Sequence, residues 1–169
     1  MQIRIGDLIK IPLTQDLAAL GQVVLKRRHG LIVLAVFPST TAGSDAAMLN
    51  QLKQEPQLIV ETMNVLIGTG RWAIIGNAPV APDMPLPVYV VSVGMDRTPY
   101  LQDIEGNILR PATQAEAESL RMPSSYSPAL VEDATRAANG IGEWLQNYDD
   151  MRVDRERSAL KILGTNDGK

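Results

Sequence analysis

The chemistry-bearing residue types are few and scattered. The single histidine, His29, sits in Lys26-Arg27-Arg28-His29-Gly30. It is a poor candidate base, with three cations beside it and no carboxylate near in sequence. The ordinary reading is a solvated turn. The functional one is contact with a phosphate or an acidic partner through Arg27 and Arg28. Asp149-Asp150, with Asp133, Glu143 and Asp154, reads as an acidic helical flank, either a solvated face or a docking surface for a basic protein. It lacks the alternating ligands and turn glycine of a calcium loop. Gly68-Thr69-Gly70-Arg71 lacks the lysine and hydroxyl of a phosphate loop and leads into a strand, so it reads as a turn. Gly140-Ile141-Gly142 has no third glycine and no strand before it. Ser39, Ser92 and Ser124 have no nucleophile-elbow context. None of the 19 acidic side chains is marked out for acid–base work.

The absence of cysteine removes disulfides, thiolate metal sites and cysteine nucleophiles. One histidine removes any site built on two imidazoles. Aromatics at 4% disfavour a stacking surface for single-stranded nucleic acid. Net charge is −3 and falls entirely in the second part of the chain. Residues 1–111 hold nine basic and nine acidic groups, and residues 112–169 hold seven and ten. No long basic stripe points to nucleic acid. The chain is therefore expected to be no enzyme and to need no cofactor or metal, and residue by residue it shows no further chemistry. An acid at Asp7 arrives before any apolar run, which is unlike a signal peptide. The longest apolar run, Leu31 to Phe37, is too short to span a bilayer, which needs about 20 residues as a helix. A cytoplasmic protein is expected.

The elements that must position these residues read as strands first and helices last. Ile3 to Ile11 forms a strand bent at Gly6, with Pro12 at its end or on an edge. Leu20–Leu25 and Leu31–Phe37 make an antiparallel hairpin around residues 26–30. A loop covers 38–43, and Ser44 caps a helix from Asp45 to Gln54. Leu58-Ile59-Val60, Trp72 to Ile75, Val88 to Val93, Tyr100-Leu101 and Ile108-Leu109 read as strands. Val65-Leu66-Ile67 is either one more or part of the next. Four prolines within 78–87 make a stiff, extended connection. Thr113-Gln114-Ala115-Glu116 is a capping box for a helix to Arg121. Ser127-Pro128 starts another, whose stripe Leu130, Ala134, Ala137, Ile141, Leu145, Tyr148 predicts about five turns. Gly140 and Gly142 either let that helix lie close to the sheet or break it. Trp72 and Trp144 read as core anchors, on a strand and on the long helix. Residues 149–163 suggest a further short helix, and 164–169 a frayed end. The expectation is one α+β domain over 1–169. It has a β-rich core (1–111) with one inserted helix, and a helical end (112–163). The sheet is mainly antiparallel, strongly coiled or rolled into a partly open barrel.

Ile5-Gly6-Asp7-Leu8-Ile9-Lys10-Ile11-Pro12-Leu13, then Gly21-Gln22-Val23, Val36-Phe37 and Trp72-Ala73-Ile74-Ile75-Gly76-Asn77, resemble the immunity protein 26 family over about residues 3–111. The resemblance implies a role in bacterial polymorphic toxin systems. Such a protein binds a cognate toxin domain and neutralises it by covering its surface, without catalysis. It adds no catalytic residue. The candidate contact residues come from the charge pattern instead: Arg27, Arg28, Asp149 and Asp150. Gly6-Asp7-Leu8-Ile9 also looks a little like the first strand of the small barrel of toxin endoribonucleases. The alternative is thus an RNA-binding or endoribonuclease-like protein using the 26–29 loop.

Overall fold

The computed structural model describes residues 2–41 and 44–164. It places them in two compact units: Met1–Ala81 with Ser125–Arg152, and Pro82–Ser124 with Val153–Lys169.

The first unit is built on a six-stranded sheet in the order β5-β1-β2-β3-β4-β9. Its strands are β1 (Asp7–Pro12), β2 (Leu17–Lys26), β3 (Leu31–Thr41), β4 (Leu58–Met63), β5 (Ala73–Asn77) and the two-residue β9 (Ser125–Tyr126). All pairings are antiparallel except β4 with β9. The fold is α+β as the element order predicts, and the sheet is open, not closed into a barrel. Pro12 is the last residue of β1, where its missing N–H costs the ladder nothing. Three bulges, in the β1–β5 and β2–β3 ladders, supply local coiling.

Both faces of this sheet are buried, which explains its near-continuous apolar runs. On one face Val23, Ile32, Leu34, Val36, Leu58 and Val60 form a core with Trp72, Val131, Ala134, Tyr148 and Met151. Their alternates Leu8, Leu20, Val33, Ala35, Phe37 and Ile59 are buried too. α1 (Asp45–Leu49), capped by Ser44, lies beside β2 and β3, with Met48 fully buried. The helix expected to Gln54 tightens after Leu49 into a 3-10 turn, Asn50–Lys53. The loop expected at 38–43 is strand as far as Thr41, and Ala42 and Gly43 lie outside the described residues. Val65-Leu66-Ile67 is not a strand but a single helical turn, α2 (Val65–Gly68), which buries Ile67.

The long helix is the main correction. α4 (Pro128–Ala138) begins as expected, with the Ser127 hydroxyl accepting the Leu130 amide and Pro128 at the first turn. It stops ten residues short of Tyr148. Gly140 (φ 75°) and Gly142 (φ 95°) take left-handed backbone that an α-helix does not contain. Asn139 then fixes the end to the sheet. Its Nδ2 donates to the Thr135 carbonyl (2.7 Å) and to Gln57 Oε1 (3.2 Å), and its Oδ1 accepts from the Ser39 amide (2.8 Å). The chain continues into a 3-10 segment, Gln146–Met151, whose Tyr148 and Met151 return to the core. The apolar stripe thus crosses a break in the helix: Ala134 and Tyr148 are buried, whereas Leu145 is 44% exposed.

The second unit holds a three-stranded antiparallel sheet of β6 (Tyr89–Val93), β7 (Thr98–Gln102) and β8 (Ile108–Pro111). Val88, Val90, Leu101 and Leu120 form its core, with Ala159 and Ile162 packed against it. α3 (Gln114–Ser119) has the complete capping box but ends two residues before Arg121. Residues 149–163 hold no single helix. They contain the end of the 3-10 segment, a 3-10 turn at Arg155–Arg157 and the short α5 (Ala159–Ile162). Gly164 is described, and the rest of the expected frayed end, 165–169, lies outside the described residues.

Candidate functional site

The predicted contact residues fall at opposite ends of β4. The Arg27–Leu31 loop is closed by the Arg27 amide donating to the Leu31 carbonyl (2.8 Å). Leu31 pairs with Met63, the last residue of β4. The Gly30 carbonyl accepts the Asn64 amide (2.9 Å), so the hairpin tip is tied to the corner where β4 turns into α2. Arg27 is half-buried and ion-paired with Glu61. Lys26, Arg28 and His29 are exposed. Met63 and Val65 are 50% and 48% exposed beside them.

Asp149 and Asp150 lie in the 3-10 segment, whose following residue Arg152 bridges Leu58 at the start of β4. Six residues of strand, roughly 17 Å from first Cα to last, separate this end from the hairpin tip. Trp144 packs against the core as expected, but from a loop and not from a helix. It lies half-buried in the loop after α4, with the Arg152 guanidinium 3.9 Å from its ring centroid and Tyr148 packed edge-on at 5.4 Å. Its Nε1 donates to Asp149 (2.7 Å). Asp133 belongs to α4 and pairs with Arg136 there (3.0 Å). The acidic residues therefore form no single helical flank, because the helix that would have carried them ends at Ala138.

Two polar networks were not foreseen. Glu132 of α4 is buried, with 3% of its side chain exposed. It accepts two hydrogen bonds from Arg71 (2.8 and 2.6 Å) and one from Trp72 Nε1 (2.9 Å), with Arg136 3.7 Å away. Burial pushes its carboxyl up. The bonds from Arg71 and Trp72, together with the charges of Arg71 and Arg136, outweigh that and hold it below the ordinary glutamate value. Glu132 thereby clamps α4 to the segment entering β5. No local pattern announces it, since its partners are 60 and 61 residues away. The only sequence hints are the Arg71-Trp72 pair and the helical spacing of Glu132 and Arg136.

The second network gathers the short motifs. A Cβ on Gly6 (φ 87°) would overlap the Ala78 carbonyl oxygen, so both the backbone angle and the close approach demand glycine. Asp7 is buried. It accepts the Arg4 amide (2.8 Å) and Asn77 Nδ2 (2.9 Å). Buried Gln22 donates to the carbonyls of Ala78 (3.0 Å) and Pro79 (3.3 Å). Gly6-Asp7, Gln22 and Asn77 thus meet at one place and anchor the start of the proline-rich connection. This is a scaffold: every polar atom named is spent on another part of the chain.

Among the described residues no group of three or more His, Asp or Glu side chains is arranged to hold a metal ion. No described helix is long and apolar enough to cross a membrane. What the described residues present at the hairpin tip and at 149–150 is surface charge on an α+β scaffold. The model of the Immunity protein 26 family matches residues 4–97, more than half the chain, and the chain belongs to that family. It is an immunity protein. No curated protein and no solved structure matches it.

Proposed function

We propose that this protein neutralises a cognate bacterial toxin domain in the cytoplasm by binding it and covering the surface the toxin needs. Neither covalent chemistry nor a cofactor is involved. The observation that carries this reading is the family match over residues 4–97. The surface charge is compatible with it: Arg28 at one end of β4 and Asp149 and Asp150 at the other are exposed, while Arg27 is ion-paired with Glu61. Recognition of this kind rests on a well-packed centre with a charged rim.

The direct test is co-expression with the toxin domain encoded beside the gene. Growth is expected to be restored by the intact protein at stoichiometric levels, with a complex recovered on purification. Failure to restore growth, with both proteins produced, would count against the proposal. Degradation of RNA by the purified protein, abolished in Arg28→Ala, would replace it with the endoribonuclease reading.

A further inference from the structure

We propose that the end of the sheet formed by Lys26, Arg28 and His29 with Met63 and Val65 is the toxin-facing surface, and that it takes an acidic protein surface carrying an apolar centre. The inference rests on the neutralising role above and says which part of the molecule performs it.

Three observations converge. The first is uncommitted charge. Lys26, Arg28 and His29 are exposed, and none has a side-chain partner among the described residues, whereas nearby Arg27 is held by Glu61. At the other end of β4 Asp149 accepts from Trp144 and Arg152 covers that ring, while Asp150 is exposed. The second is apolar surface in the same place. Met63 and Val65 stand about half exposed on either side of Asn64, next to the cations. Exposed methionine and valine contribute nothing to a phosphate backbone but fit the dehydrated centre of a protein interface, and methionine adapts its shape to a partner. Two free cations and one imidazole are also few for nucleic acid, where affinity scales with the number of phosphates neutralised.

The third is rigidity. His29 (φ 59°) and Gly30 (φ 77°) hold consecutive left-handed positions at the tip. The tip is locked by the Arg27–Leu31 and Gly30–Asn64 backbone bonds. α2 pins the corner from below through buried Ile67. A platform already ordered loses little freedom on binding.

The probe is the purified toxin domain encoded by the adjacent gene, titrated calorimetrically against the full-length protein. Lys26→Glu/Arg28→Glu and, separately, Met63→Ser/Val65→Ser are each expected to weaken binding by about tenfold or more at unchanged Tm. Asp149→Asn/Asp150→Asn should stay within about twofold. Raising salt from about 50 to 300 mM should weaken the intact protein more than the charge-reversed variant. If the intact protein binds and both tip variants bind equally well, the surface assignment is wrong while the neutralising role stands. If the intact protein neither binds nor protects, both fall. Binding of a 20-nucleotide RNA that the charge reversal abolishes would also overturn the assignment. The serine pair truncates two half-exposed side chains, so a loss there at unchanged Tm separates contact from misfolding.

Discussion

Replacing Glu132 by alanine leaves the buried indole N–H of Trp72 without an acceptor and Arg71 without its bidentate partner. The expected cost is about 1–3 kcal/mol in urea-induced unfolding, most of it from stranding the buried Trp72 N–H. Glu132→Gln keeps an acceptor for Trp72 and should cost roughly half as much. The carboxyl also sets an acid limit. Its folded value is depressed, so the stabilisation is complete above the ordinary glutamate pKa of about 4.3 and is lost as pH falls through the folded value. Glu116 behaves alike: its hydrogen bonds with Arg110 and with the Thr113 amide hold its carboxyl down at about 2. Urea midpoints measured from pH 6 to 3 should fall for the intact protein and fall less steeply for Glu132→Gln. Equal slopes would show that the Arg71–Glu132 pair contributes no net stability. Nothing distinguishes Glu132 from the other acids in the sequence, because what distinguishes it is a partner that only folding brings near.

The end of α4 supplies a test in which two readings of one residue differ in sign. In a continuous helix from 128 to 148, Gly140→Ala would stabilise by about 1 kcal/mol. With Gly140 at φ 75°, the same change should destabilise by about 1 kcal/mol or more, although the space beside it is open. Thermal melts of this single variant decide between them. Strands and caps were legible wherever the cause was local. The alternation of β2 and β3, the box at Thr113–Glu116 and the Ser127-Pro128 start all depend on residues within a few positions of one another. Errors came where two local signals competed. Val65-Leu66-Ile67 has strand composition, but between a strand and a turn it coils once and buries Ile67. The stripe from Leu130 to Tyr148 kept its period across a break, because both pieces face the same core. The cations of the hairpin tip are legible in the sequence. Its apolar half, Met63 and Val65, is not, because a strand register has to bring residue 63 beside residue 31.

At the scale of the whole molecule, the chain leaves the first unit after Ala81 and returns at Ser125 to complete it. The returning part contributes Val131, Ala134, Tyr148 and Met151 to the core, and Glu132 to the clamp. The stretch that matches the family, 4–97, therefore lacks part of the core it helps to form. A chain ending at residue 111 is expected to lose cooperative unfolding and amide dispersion in NMR spectra. A dispersed spectrum would show that residues 125–152 are dispensable for folding. One margin of each sheet carries a different consequence. β8 is interrupted by a bulge opposite Leu101 and ends in Pro111, and β9 is only two residues long. Such margins give a neighbouring molecule little backbone to zip onto. Copies crowded together therefore find few places to clump along these two borders.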